Sequence, residues 1–230
     1  MKEFIYETHL HTSEASACGV TTGAEAVSAY KKLGYAGIFV TDHFFNGNCA
    51  VDDSLCWKEK VEAYCLGYEH AKAAADADSD FSVFFGIEFN FSGDEYLIYG
   101  ITKEWLIAHP EIMNLSHHEL FELIDSAGGL MVQAHPFRHR SYIKSINLHP
   151  NDVHAVEVYN AANAAEENVQ ALEYAAQHNL PGTSGSDMHN VDNMHCLGGT
   201  AFEKRLESVQ DYVALVKSGK GFSPLPPKFY

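Results

Sequence analysis

Residues 36–43 read Ala-Gly-Ile-Phe-Val-Thr-Asp-His, an almost wholly apolar run that passes directly into a carboxylate and an imidazole. A short apolar run without polar alternation fits a strand covered on both faces, as parallel strands in α/β proteins are. The same design recurs on either side of it. Residues 4–11 read as a first strand, followed by a small-residue loop over 12–21. Thr22-Gly-Ala-Glu25 has the form of a capping box and opens a helix to Lys32, ended by Gly34. The apolar stretch proper, 36–41, is the second strand, and a long helical pattern covers about 53–77. Strands are expected at 81–88 and 96–101, then a helix over 116–127 opened by Ser116-His-His-Glu119 and closed by Gly128-Gly129. Further strands at 130–134 and 155–158, a helix at about 164–177, a short strand near 181–184 and a last strand-helix pair at 200–202 and about 208–218 complete about seven β/α units. Such alternation predicts a parallel sheet or barrel.

The 230 residues suit one domain, 1–230, without low-complexity linkers or internal repeats. With 46% hydrophobic and 20% charged residues there is enough apolar material for one sizeable core, which excludes disordered and fibrous classes. No run approaches the roughly 18 apolar residues that cross a bilayer, and the N-terminus lacks an apolar signal region, so a cytoplasmic protein without membrane partners is expected. The formal charge of −16 opposes a broad nucleic-acid or anionic-lipid surface. A small phosphorylated substrate remains compatible if local cations, such as metal ions, invert the field. Five cysteines without a CxxC pair argue for free thiols rather than a disulfide framework. Fourteen histidines are the unusual count.

Five of those histidines fall at strand ends. His9-Leu10-His11 closes the first strand, and residues i and i+2 of an extended chain face the same way, so both rings can reach one ion. Thr41-Asp42-His43, Gly86-Ile87-Glu88, Gln133-Ala134-His135-Pro136 and Gly185-Ser186-Asp187-Met188-His189 end the other apolar runs. A barrel of parallel strands gathers its C-terminal ends on one face, where ligands distant in sequence converge.

In this order the motifs resemble the PHP (polymerase and histidinol phosphatase) domain, from His9 to His189. The resemblance implies a distorted (β/α)7 barrel, TIM-like, with two or three divalent ions (zinc, iron or manganese) at the C-terminal ends of the strands. Phosphoester hydrolysis through a metal-bridged hydroxide is the activity implied. Carried over by position, His9, His11, Glu88 and Asp187 hold the first ion, Glu88 bridges to a second that His135 also binds, and His43 with His189 serves a third. Two departures stand out. The loop after the first motif is longer than the family pattern, which leaves Cys18 as a replacement ligand with Glu14 as competitor, and a thiolate favours zinc or iron over magnesium. The family's usual second histidine on the fourth strand aligns with Tyr96, a poor ligand, so Asp94, Glu95 or water would have to complete that site.

Arg138-His139-Arg140 follows His135-Pro136 and offers donors at the rim. Arg138, with His139 beside it, is the preferred substrate-binding candidate, since arginine forks match phosphate. Glu157 and Asn160 end their strand where the site would be lined, although a structural cap explains them equally well. His117 and His118 read as structural or solvated residues of a helix N-terminus. The resulting expectation is a metal-dependent phosphoesterase acting on a small phosphomonoester. A protein-tyrosine phosphatase of the same family, a metal hydrolase cleaving C–N or C–O bonds, and a non-catalytic metal sensor or scaffold are the alternatives.

Overall fold

The computed structural model describes residues 3–75, 80–141 and 143–229. Nine strands form one sheet: β1 (Phe4–Leu10), β2 (Gly37–Val40), β3 (Ser82–Phe91), β4 (Asp94–Tyr99), β5 (Leu130–Gln133), β6 (Ala155–Asn160), β7 (Gly182–Gly185), β8 (Cys196–Phe202) and β9 (Phe222–Phe229), in the order β7-β6-β5-β4-β3-β2-β1-β8-β9. The expected apolar strands are therefore present. Strict parallel alternation is not. β1, β2 and β3 run parallel, as do β5, β6 and β7, but β4 is antiparallel to both its neighbours. The cause is local: Ser92-Gly93, both with positive φ, turn β3 back on itself in a tight hairpin that leaves no room for a crossover helix. β8, antiparallel to β1, pairs antiparallel with β9 after the chain passes through an intervening helix, and β9 lies in a segment whose three prolines hide its strand character.

The sheet curls until β7 meets β1. Closure is made by the Asp187 N–H donating to the His9 carbonyl at 2.8 Å, the His11 N–H donating to the Met188 carbonyl at 2.8 Å, and the Thr8 hydroxyl donating to the Ser184 carbonyl at 2.9 Å. Gly185 is required at this seam, because a Cβ there would lie 2.5 Å from the His9 Cβ and 2.9 Å from Glu157 Oε1. A core of Tyr6, Phe39, Leu97, Tyr99, Val132 and Ala155, drawn from five strands, is sealed by Tyr212, Val213 and Val216.

The helices are α1 (Gly23–Lys32), α2 (Trp57–Tyr64), α3 (Leu66–Ala74), α4 (Lys103–Ala108), α5 (His117–Ser126), α6 (Ala165–His178) and α7 (Val209–Ser218). Both expected capping boxes form: Glu25 Oε2 accepts from the Thr22 N–H at 2.9 Å, and Glu119 Oε2 from the Ser116 N–H at 2.8 Å. The single helix expected over 53–77 is two helices divided at Cys65, and its end at Ala77 lies outside the described residues. Among the described residues no helix is long and apolar enough to cross a membrane.

Candidate metal centre

The C-terminal ends of the parallel strands and the N-terminal end of the reversed β4 lie on one face, so His9, His43, Glu88, Glu95, His135, Glu157 and Asp187 meet there. Glu88 is at the middle and is buried. Its Oε1 lies 3.1 Å from His9 Nε2 and 3.2 Å from His135 Nε2. Its Oε2 lies 2.6 Å from His43 Nδ1 and 3.5 Å from His11 Nε2. Asp187 Oδ1 is 3.1 Å from His11 Nε2 and 3.6 Å from His189 Nδ1. The rings of His43 and His189 each lie 4.2 Å from that of His11. His135 and Asp187 both adopt positive φ, at 28° and 53°, a strained conformation of the kind that concentrates at functional sites.

Hydrogen bonds fix which nitrogen of each ring is free. Ser16 Oγ donates to Asp42 Oδ1 at 2.7 Å, so it accepts from His11 Nδ1 at 3.1 Å and from the His43 N–H at 3.0 Å. That leaves His11 Nε2 with its lone pair facing the cluster. Glu157 Oε1 accepts from His9 Nδ1 at 3.0 Å, which turns Nε2 toward Glu88, and Glu157 Oε2 accepts from the His135 N–H at 3.1 Å. The Asp187 carbonyl accepts from His189 Nδ1 at 2.9 Å, leaving His189 Nε2 free. Carboxylate, hydroxyl and carbonyl partners that hold ligand tautomers in this way are characteristic of metal-binding histidines.

The charge distribution points the same way. The carboxylates of Glu88, Glu95, Glu157 and Asp187 are buried around the cluster, with Glu7 and Asp42 buried just behind it, and among the described residues Arg138 is the guanidinium buried against them. Burial would raise the Glu88 pKa, but His43 and His9 outweigh it and hold the carboxyl well below its ordinary range. Burial likewise opposes ionisation of Asp187, and Arg138 and His9 overcome it. His11 is held neutral by burial and by the neighbouring His43 and His189. Burial would raise the Cys18 thiol, yet hydrogen bonding to His189 and His43 lowers it to about 6, so a thiolate faces these two imidazoles. His43 Nδ1 and Glu88 Oε2, although close, are misaligned and find no hydrogen bond among the described residues. Converging lone pairs on buried, negatively charged ground fit divalent cations: the donor set of imidazole, carboxylate and thiolate suits zinc or iron.

The structure brings together His9, His11, Cys18, His43, Glu88, His135, Asp187 and His189. Glu14 is elsewhere: both its oxygens accept from the Gly23 N–H at 3.2 Å at the start of α1, and one lies 3.0 Å from His70 Nδ1. Arg138 is not a free rim donor. It is buried, with Nη1 2.6 Å from Asp187 Oδ2, Nε 2.8 Å from Asn163 Oδ1 and Nη2 2.9 Å from Asn160 Oδ1. It therefore orients Asp187. His139 is exposed, and its backbone N–H donates to Glu167 at 2.7 Å. The position aligned with Tyr96 also changes. Side chains alternate along β4, and Glu95 faces the cluster, with Oε2 3.4 Å from His135 Nε2, while Tyr96 packs on His117 behind the sheet. Asp94 pairs with Asn147 at 2.7 Å.

A cleft of about 340 Å³ opens beside Asp187 and His189, lined further by Ala161, Ala162, Asn190, Asn193 and His195. A larger concavity of about 810 Å³ between α1 and residues 190–194 contains none of the clustered ligands. The smaller cleft touches the cluster through Asp187 and His189.

The PHP-associated family model matches residues 165–220. In fold the chain is similar to a two-domain protein from Bacteroides vulgatus that contains a predicted PHP-like metal-dependent phosphoesterase (TM-score 0.70, 13% identity, 98% of this chain and 65% of that one). It is also similar to PsfC from Pseudomonas syringae (TM-score 0.61, 17% identity, 100% and 93%) and to the lesion-specific endonuclease PfuEndoQ from Pyrococcus furiosus (TM-score 0.60, 12% identity, 98% and 58%). The chain thus spans about two thirds of the length of the first and less of the endonuclease. No curated protein matches the sequence. The resemblance to the PHP domain is borne out in the fold of the whole chain and in the sequence of its C-terminal part.

Proposed function

We propose that residues 1–230 act as one domain, a metal-dependent hydrolase that cleaves a small phosphomonoester in the cytoplasm with two or three divalent ions, zinc, iron or manganese. The reading rests on Glu88, whose two oxygens face the ring nitrogens of four histidines and so suit a carboxylate shared between ions. His9, Glu88, His135 and Glu95 would serve one side of it; His11, His43, His189, Asp187 and Cys18 would serve the other. Divalent ions held there supply charge neutralisation for a phosphoryl group and an acidified water as nucleophile. The protein's own part is orientation. Arg138 holds Asp187 on its Oδ2 side, Ser16 fixes the His11 tautomer, Glu157 keeps the His9 proton on Nδ1, and burial of the cluster strengthens each interaction by excluding water.

The cleft beside His189 supports a small substrate, since about 340 Å³ lies at the lower end of the range for small-molecule sites. The formal charge of −16 weighs against the nucleic acid that the endonuclease neighbour acts on. The test is metal analysis of chelator-free protein followed by phosphomonoester hydrolysis on the same sample, beside a phosphotyrosine peptide and a single-stranded oligonucleotide. Two or three equivalents with monoester turnover, both lost in Glu88→Gln, are expected. One equivalent or none, with no turnover after reconstitution, refutes catalysis in favour of a metal-binding scaffold. Cleavage of the peptide or oligonucleotide alone refutes the substrate class.

A further inference from the structure

A second group of metal-ligand side chains lies behind β4, on the face opposite Glu95. Ligand atoms of His117, His149 and Asp152 are all within 4.8 Å of one another. His117 is the first residue of α5, whereas His149 and Asp152 come from the 21-residue connection between β5 and β6. The His117 side chain is only 10% exposed, and both its ring nitrogens are buried without a hydrogen-bond partner among the described residues. Such a ring should find partners, because an unsatisfied buried donor or acceptor is destabilising. Its neighbours do not supply them: Tyr96, Phe91 and His149 present ring faces or edges, with centroids at 4.5, 5.4 and 4.1 Å.

Asp152 is already set for a shared role. Its Oδ1 lies 2.8 Å from His118 Nδ1, which fixes the carboxylate and leaves Oδ2 toward His117, 3.9 Å from Nδ1. That separation is too long for a hydrogen bond. It is close to the edge of a zinc tetrahedron, about 3.3 Å for ligand distances near 2.0 Å, so an ion would draw Asp152 inward and turn the His149 ring out of its stack on His117.

We propose that His117, His149 and Asp152 form a separate zinc site, with water as fourth ligand, that pins the β5–β6 connection to the start of α5. Two imidazoles and one carboxylate suit zinc over magnesium or calcium. The positive end of the α5 dipole opposes a cation, and the Asp152 carboxylate offsets it. The pinned connection carries Arg138, so this site braces a part of the chain that reaches the central cluster. Zinc binding at this site is independent of the activity proposed above.

The test uses zinc alone as probe. Wild-type protein, His149→Gln and Asp152→Asn are dialysed to equilibrium at micromolar free zinc, and bound zinc is counted per chain. Each variant should hold one equivalent fewer than wild type, and zinc should slow proteolytic cleavage within residues 136–152 in wild type alone. Both substituted residues are partly exposed, and unfolding of each zinc-free variant within a few degrees of wild type confirms an intact fold. Equal zinc counts in all three proteins, or equal protection of the connection, overturn the proposal. Glu88→Gln, which reports on the central cluster, should leave this equivalent in place. Its disappearance there as well would likewise overturn a separate site.

Discussion

Replacing Arg138 by Met separates its two roles. As a rim donor, the guanidinium would contact substrate, and its loss would raise KM while leaving stability almost untouched. The structure instead buries it between Asp187 Oδ2 at 2.6 Å, Asn160 Oδ1 at 2.9 Å and Asn163 Oδ1 at 2.8 Å. Removing one partner of a buried ion pair leaves the other charge uncompensated, a loss of about 3–5 kcal/mol, or about 10 °C in the unfolding midpoint of a chain of this length. Metal-free Arg138→Met should therefore melt about that much lower than metal-free wild type. A divalent ion on the other oxygen of Asp187 supplies part of the missing charge, so saturating zinc should narrow the gap. Thermal unfolding of both proteins with chelator and with zinc measures the four midpoints. A deficit below about 1 kcal/mol in chelator, together with a raised KM, would refute the positioning role and restore the rim-donor reading.

Ser16→Ala removes the acceptor that fixes His11 Nδ1, and should weaken metal binding about 10- to 100-fold in a competition assay with a chromogenic chelator; an unchanged affinity would show that His11 needs no such support. Glu95→Gln should lower metal affinity, whereas Tyr96→Phe should leave it unchanged and, by deleting a buried hydroxyl that finds no partner among the described residues, leave the melting temperature equal or higher. The reverse pattern would show that β4 is read one residue out of register. His154 accepts from the Met131 N–H through Nδ1 and contacts Asp125 through Nε2, and burial lowers its pKa. The unfolded chain therefore protonates first, so this contribution is present above about pH 6.5 and is lost as pH falls below it. In chelator, wild type should lose more stability between pH 7 and pH 5 than His154→Gln, and equal losses would sink the assignment.

The legible parts of the molecule were those written in local pattern. Apolar runs closed by His, Asp or Glu gave the strands and most of the cluster, because a strand buried on both faces can carry polar groups only at its ends. Reversal of β4 was not legible, since residues 94–99 are as apolar in antiparallel as in parallel pairing and the decision lies in the Ser92-Gly93 turn. That turn also decides which of Glu95 and Tyr96 faces the cluster. Glu157 could be seen at a strand end but not told from a cap, because its contacts with His9 and His135 come from segments 148 and 22 residues away. Ser16 carried no signal at all. Its role arises from a loop conformation that no periodicity encodes.

The seam between β7 and β1 has a consequence for how the protein is made. Thr8 meets Ser184 across 176 residues, and the carbonyl of His9 is paired only when Asp187 arrives. During synthesis the first strand must wait for more than three quarters of the chain before its far edge is covered, with a pair of imidazoles already at its tip. Contacts this distant in sequence form late and slowly. An ion captured early by His9 and His11 would be held before the residues that complete its shell have emerged, so the position of these ligands along the chain would place metal uptake ahead of barrel closure.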